Sequence, residues 1–220
     1  MTLAVVVPAH DEEACLGECL AAIGVAAEHP ALLREPVICI VVLDACTDGS
    51  ARIAHAAGVL SLFTDARNVG VARGLGAQHA LELGAAWIAF TDADSRVAPD
   101  WLVRQCELRA DAVCGTVQIA DWSGLPAAAR ERYAVHYQDR DDHRHVHGAN
   151  LGVSASAYRR AGGMPPLPVS EDVAFVQRLI ALDCRIAWSA LPRVITSARI
   201  ANRVQGGFSG FLRTLAPDGG

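Results

Sequence analysis

The sequence predicts one α/β domain with a doubly wound, mostly parallel central sheet, helices on both of its faces, and a smaller second sheet. Short apolar runs alternate with longer helical patterns through the first half of the chain, which is typical of parallel strands joined by crossover helices. Each run is apolar almost throughout, as in strands that are covered on both faces. The length of 220 residues corresponds to one domain.

The first half contains four predicted strands separated by three predicted helices. The strands are 3–7, 37–43, 59–63 and 86–91, and the helices are 13–27, 49–57 and 69–83. Asp48 or Thr47 is the expected N-cap of the second helix. Ligands of such sheets bind beyond the carboxyl ends of the strands, so the loops that begin at Pro8, Asp44 and Asp92 form the candidate binding region.

The second half has a more mixed pattern. We predict helices at 99–110 and 171–182, strands at 112–119 and 148–153, and two short strands near Ile186 and Val194. Residues 125–147 are polar and charged, and we expect them to be helical or loose. The last residues, 197–220, have no strong period and are expected to form a flexible tail or a lid.

Composition argues against several classes of protein. With 19 basic and 24 acidic side chains, the formal charge is −5, which argues against a nucleic-acid partner. Every basic residue is arginine, so a phosphate contact must come from arginine or from backbone amides. The first apolar stretch, 3–8, is too short for a signal peptide, and we expect no transmembrane segment, although peripheral membrane contact stays open. The seven cysteines lack CxxC spacing, so we expect reduced thiols in a cytoplasmic protein.

Two carboxylates directly follow the fourth predicted strand, in the DxD triplet formed by Asp92, Ala93 and Asp94. Hard oxygen ligands at this spacing suit Mg²⁺ or Mn²⁺ bound together with a phosphate group. Taken alone, the triplet is equally compatible with a turn or with a cap at Ser95. Its meaning therefore depends on the motifs around it.

Six landmarks occur in a fixed order along the chain: 5–13 (VVVPAHDEE), 41–50 (VVLDACTDGS), 68–73 (NVGVAR), 90–94 (FTDAD), 148–150 (GAN), and 162–164 (GGM) with 170–172 (SED). In these motifs the chain resembles the family 2 glycosyltransferases of the GT-A fold, over about residues 3–185. That resemblance implies a single GT-A domain over 1–220 and an inverting transfer from a nucleotide-diphosphate sugar. It divides the chain into a nucleotide-sugar-binding half (1–95), an acceptor half (96–196) and the tail (197–220).

The resemblance also implies roles for individual residues of the donor half. The first loop packs on the nucleotide through Pro8, His10 and Glu12, and Asp44 matches the carboxylate that reads the base. A basic residue near the base and phosphates matches Arg73. The metal motif matches Asp94 as the direct ligand, with Asp92 facing the ribose or the metal.

On the acceptor side, Asp172 matches the general base that deprotonates the acceptor hydroxyl, and its neighbour Glu171 belongs to the same motif. His147 and Asn150 are expected close to the acceptor. Arg199 and Arg203 in the tail are candidates for closing over the diphosphate, since arginine forms bidentate contacts with phosphate oxygens.

Several departures and alternatives accompany this interpretation. Leu43 and the pair of Ala45 and Cys46 replace polar residues of the family pattern beside Asp44, and Asp11 stands where the family more often has Asn, so the base is not predicted. Alternating histidines at 143, 145 and 147 raise the possibility of zinc, but no fourth ligand is evident. The alternative functions are a nucleotidyltransferase and a catalytically silent sugar-nucleotide-binding protein. Donor sugar, acceptor and oligomeric state are not predicted.

Overall fold

The computed structural model describes residues 1–119, 122, 130, 131, 133 and 137–196. The strands in these ranges are β1 (Leu3–Ala9), β2 (Val37–Asp44), β3 (Leu60–Thr64), β4 (Trp87–Phe90), β5 (Ser95–Val97), β6 (Ala112–Ile119), β7 (Leu151–Ser154) and β8 (Ile186–Thr196). The α-helices are α1 (Leu16–Ala27), α2 (Ser50–Ala56), α3 (Val69–Glu82), α4 (Trp101–Glu107), α5 (Ala155–Arg160) and α6 (Glu171–Ala181). Two 3-10 turns, Pro30–Leu32 and Gly148–Asn150, complete the regular structure.

The described strands form one eight-stranded sheet in the order β3-β2-β1-β4-β7-β6-β8-β5. The pairs β3-β2, β2-β1, β1-β4 and β6-β8 are parallel, whereas β7 runs antiparallel to both β4 and β6, and β5 runs antiparallel to β8. The α/β class and the mostly parallel sheet are as predicted. The expected smaller sheet is not separate, because β7 joins the strands of the second half to β4.

The central strands are apolar on both faces because helices cover both faces. In β1, Leu3, Val5 and Val7 pack with α1 and α4 on one face, whereas Ala4 and Val6 pack with α3, α5 and α6 on the other. All five side chains are fully buried. This two-sided burial explains the continuous apolar runs that predicted the fold.

The structure differs from the predicted elements at several places. Helix α1 begins at Leu16 and not at residue 13, because the chain first turns, with the carbonyl of Glu12 accepting from the amides of Cys15 and Leu16. The segment predicted as a strand from 148 begins with a 3-10 turn, and the two short strands expected near Ile186 and Val194 are one strand. Strand β5 and helix α5 are too short for a periodic pattern and were not predicted.

The direction of the strands brings several loops to one edge of the sheet. Strands β1, β2, β4 and β6 end at this edge, and the reversed strand β7 begins there, so the 3-10 turn lies beside the loop that follows β4. Within the described ranges, none of the helices combines the length and apolarity that crossing a bilayer would require.

Candidate functional site

The loops after β1 and β2 brace each other through side chains and backbone amides. The amide of Thr47 donates to the carboxylate of Asp11 (2.7 Å), and the amide of Glu12 donates to the hydroxyl of Ser50 (2.9 Å). Asp48 accepts from the amide of Ser50, the first residue of α2, at 2.9 Å. The N-cap of α2 is Gly49, which makes no side-chain cap, so the prediction that Asp48 or Thr47 is the N-cap is wrong. Asp48 lies one residue earlier and holds the start of the helix through this contact.

His10 and Asp44 link the ends of β1 and β2. His10 Nδ1 lies 2.6 Å from the carbonyl oxygen of Asp44. The Asp44 carboxylate is only 4% exposed, and its two oxygens accept from the backbone amides of Arg67 (2.8 Å) and Asn68 (2.7 Å). Asp44 therefore fixes the entry to α3, where Asn68 in turn caps the helix by accepting from the amide of Val71.

Arg73 projects from α3 into the interior, where it joins two carboxylates. Its Nη2 donates to Asp92 and its Nη1 donates to Glu171, and the side chains of Arg73 and Glu171 are each 4% exposed. The predicted basic residue is thus part of a buried ion triad rather than a surface charge. Asp92, at the end of β4, is the most open member, with a side chain that is 36% exposed.

The two carboxylates of the DxD triplet have different surroundings. Burial raises the pKa of Asp92, the Arg73 guanidinium opposes this rise, and the negative charges of Asp94 and Asp172 add to it. The hydroxyls of Ser95 and Thr196 lie 3.4 and 3.5 Å from Oδ1 of Asp94. Asp94 and Asp172 thus add negative charge beside Asp92, while Asp92 and Glu171 share the guanidinium of Arg73. This excess of negative charge favours a bound cation.

Asp172 lies at the start of α6 and faces the 3-10 turn. Its Oδ2 accepts from the amide of Gly148 (2.7 Å), and its Oδ1 accepts from the amide of Val173 (2.7 Å). Unlike the adjacent Glu171, which is 3% exposed, Asp172 is half-buried and open to solvent. Of the two neighbouring acidic residues, Asp172 is therefore the one that solvent can reach.

Asn150 has a structural place. Its Oδ1 accepts from the indole of Trp101 (2.9 Å), and its Nδ2 donates to the carbonyls of Thr116 (2.7 Å) and Pro192 (2.8 Å). The residue has no exposed surface, so its amide holds α4, β6 and β8 together. Its expected place close to the acceptor stays a prediction, and the side chain itself is buried in this structural network.

The three alternating histidines form a stack with a tyrosine. The ring of His145 lies 4.3 Å from that of Tyr137, 5.5 Å from that of His143 and 6.0 Å from that of His147. Nε2 of His147 lies 3.0 Å from the hydroxyl of Tyr137, and burial lowers the pKa of His147 to about 3. Among the described residues, the ring nitrogens of the three histidines do not lie close enough together to bind one metal ion. The geometry therefore does not support zinc.

One group of three side chains among the described residues could bind a metal ion: the ligand atoms of Asp11, Cys46 and Asp48 lie within 4.8 Å of one another. Both carboxylates already accept backbone amides of this loop. Burial raises the pKa of the Cys46 thiol, whose Sγ donates to the carbonyl of Ala9. A thiol that keeps its proton is a poor metal ligand, so we assign this group to the folding of the loop.

Pro8 lies in β1, half-buried, one residue before the strand ends, and Glu12 is half-buried in the following loop. Together with His10 and Asp44 they lie at the edge that also holds the DxD triplet, as the sequence predicts. Sequence reasoning did not predict the contacts that Gly148 makes with Asp172 and that Ser95 and Thr196 make with Asp94. Arg199 and Arg203 lie outside the described residues.

Comparison with known proteins places this geometry in a family. The model of "Glycosyl transferase family 2" matches residues 4–162. No curated protein matches the sequence. Among solved structures, TarS 1-349 of S. aureus in complex with UDP-GlcNAc is similar, with 16% identity, a TM-score of 0.69 and coverage of 90% of this chain and 59% of that one.

A second similar structure is the mannosyltransferase PcManGT from Pyrobaculum calidifontis in complex with GDP-Man and Mn²⁺, with 17% identity and a TM-score of 0.68. It covers 91% of this chain and 58% of that chain. The chain spans 37% of TarS and 61% of TarS 1-349. At these identities the structures show a shared fold, while the family model covers most of the sequence. The chain therefore belongs to glycosyl transferase family 2, and its sheet has the GT-A architecture.

Proposed function

We propose that the protein is an inverting glycosyltransferase that moves a sugar from a nucleotide-diphosphate sugar to an acceptor hydroxyl with a divalent metal, Mn²⁺ or Mg²⁺. The observation that carries the proposal is the half-buried Asp172 carboxylate at the same edge of the sheet as Asp92 and Asp94. The TarS and PcManGT structures contain UDP-GlcNAc and GDP-Man, which supports a donor of this class.

The donor set fits a hard divalent cation. Asp92 and Asp94 offer carboxylate oxygens, and Mg²⁺ or Mn²⁺ is commonly bound by one or two carboxylates together with substrate phosphates. Burial raises the pKa of Asp92, and the negative charges of Asp94 and Asp172 add to that rise, so a cation there would relieve the repulsion among the carboxylates. When bound, such an ion would stabilise the charge that develops on the departing nucleotide diphosphate.

Asp172 is the general base of the proposed reaction. One face of its carboxylate is held by the amides of Gly148 and Val173, which fixes its orientation, and its remaining lone pairs can accept the acceptor proton. Deprotonation by Asp172 as the acceptor oxygen attacks the anomeric carbon gives a single displacement, which inverts the configuration of that carbon. Glu171 is excluded from this role because Arg73 holds it in the interior.

We further propose that 1–95 forms the donor half and 96–196 the acceptor half. Pro8, His10 and Glu12 would border the nucleotide. Asp44 would act indirectly, by fixing the loop at Arg67 and Asn68 that lines the nucleotide pocket. His147 would support the acceptor side as a neutral ring beside Gly148.

The proposal is tested by thermal unfolding in the presence of UDP, GDP, CDP and dTDP, each with and without Mn²⁺. A ligand at 100 times its dissociation constant stabilises the native state by about 2.7 kcal/mol. We expect one nucleotide to raise the midpoint only with metal, and Asp94→Asn to abolish that rise. Asp172→Asn should keep the rise and stop turnover, since it alters the proton acceptor alone.

The matched control is Asp183→Asn, which makes the same change at an exposed residue beyond the far end of α6. Metal-dependent binding without transfer or donor hydrolysis would favour the silent binding protein. Release of pyrophosphate from a nucleoside triphosphate and a sugar phosphate would indicate a nucleotidyltransferase. No midpoint rise for any nucleotide would contradict the proposal.

A further inference from the structure

Arg73 is the only residue of the buried triad that touches both halves of the site. Its Nη2 holds Asp92 from the end of β4, and its Nη1 holds Glu171 from the start of α6, which lies 98 residues after Arg73 in sequence. A planar fork with donors on two sides suits this geometry, whereas a lysine presents a single point charge.

The surroundings of Arg73 are closely fitted. A Cβ added to Gly148 would lie under 3.0 Å from Cζ, Nη1 and Nη2 of Arg73, so only a glycine leaves room for the guanidinium. The amide of the same Gly148 donates to Asp172. Arg73, Glu171, Asp172 and Gly148 thus form one closed arrangement that fixes the base against the 3-10 turn.

From this arrangement we propose that Arg73 and Glu171 are positioning residues, which hold the carboxylates of Asp92 and Asp172 in fixed positions relative to each other. We also propose that Arg73 does not contact the donor phosphates. The inference rests on the proposed function. Arg73 is 4% exposed, and each terminal nitrogen donates to a carboxylate. Its Nε has no hydrogen-bond partner among the described residues but is buried, so the guanidinium presents almost no surface to a diphosphate. The family resemblance implied a place for Arg73 near the base and phosphates.

The test is a double-variant cycle with Arg73→Gln, Glu171→Gln and the two combined, measured as kcat and KM for turnover of the donor identified above. Displacement of the two aspartates should lower kcat by about a hundredfold in each single variant, with a smaller change in KM. Because both residues act through the same ion pair, the kcat of the combined variant should lie within about threefold of that of the more impaired single variant.

Arg73→Lys separates positioning from phosphate binding. Lysine binds phosphate as a point charge but cannot hold two carboxylates in a fork, so positioning predicts that Arg73→Lys stays as impaired as Arg73→Gln. A direct phosphate contact predicts that lysine restores KM and that Glu171→Gln has normal turnover. Either result would overturn the inference, as would effects of Arg73→Gln and Glu171→Gln that multiply in the combined variant.

Arg104→Gln is the matched control, because Arg104 also bridges two carboxylates, Asp100 and Glu107, but does so at the surface. Its turnover should equal that of the unaltered protein. If Arg73→Gln does not fold, Glu171→Gln decides alone, and normal turnover there would overturn the inference. An unaltered protein without turnover would contradict the proposed function itself, which distinguishes the two failures.

Discussion

Replacing Gly148 by alanine tests the close packing at the centre of the site. The new methyl group would lie under 3.0 Å from three atoms of the Arg73 guanidinium, which is buried and tied to Asp92 and Glu171, so the guanidinium cannot move aside without breaking an ion pair. Overpacking of this kind costs about 1–3 kcal/mol. For a chain of this length, a loss of about 2 kcal/mol lowers the unfolding midpoint by roughly 4–8 °C.

The assay is thermal unfolding followed by circular dichroism, with Gly24→Ala as the control. Gly24 lies in the exposed face of α1, and nothing lies within 4 Å of a Cβ added there. Alanine in a helix is favoured over glycine by about 1 kcal/mol, so the control midpoint should rise. An equal rise in Gly148→Ala would refute the close approach of Arg73 to the turn.

Two further predictions concern residues that sequence reasoning placed near the acceptor. Asn150→Ala should lower the free energy of unfolding by about 3 kcal/mol or more, because it leaves the Trp101 indole and two carbonyls unpaired; a loss below about 1 kcal/mol in urea unfolding would contradict this. Burial holds the pKa of His147 at about 3, below its unfolded value, so the unfolded chain binds the extra proton and stability falls as pH falls from 6.5 towards 3. Across that window the free energy of unfolding of the unaltered protein should fall by about 1.4 kcal/mol per pH unit more than that of His147→Gln. If the two free energies change with pH in parallel, the His147 ring is not held neutral in the folded protein.

The sequence was sufficient for the parallel half of the fold, because buried strands and crossover helices leave strong apolar patterns there. Asp92 and Asp94 were expected at the edge because they directly follow a strand, whereas the place of Asp172 was expected only from the family resemblance. In the structure the charges of Asp94 and Asp172 both act on Asp92. The sequence was insufficient for Asn150 and Arg73. Whether a polar side chain faces a ligand or the interior depends on neighbours distant in sequence, here Trp101 for Asn150 and Glu171 for Arg73.

The smaller differences have the same origin. Strand β8 was predicted as two short strands, yet its pairing with β6 continues past an irregularity between Gly115 and Val117. Strand β5 has only three residues and is defined by its pairing with β8. Such elements form because they pair with distant strands, and no periodic pattern of apolar residues in the local sequence predicts them.

Because β7 runs opposite to its two neighbours in the middle of the sheet, the two ends of one long connection lie at the same edge. Strand β6 ends, and β7 begins, at the edge where the carboxylates lie, so the chain between Ile119 and Leu151 departs from the sheet and rejoins it at one place. A change in the length of this connection need not shift either strand along the sheet, because the connection starts and finishes at the same edge. Its last residue, Asn150, must stay, since its side chain holds α4, β6 and β8 together.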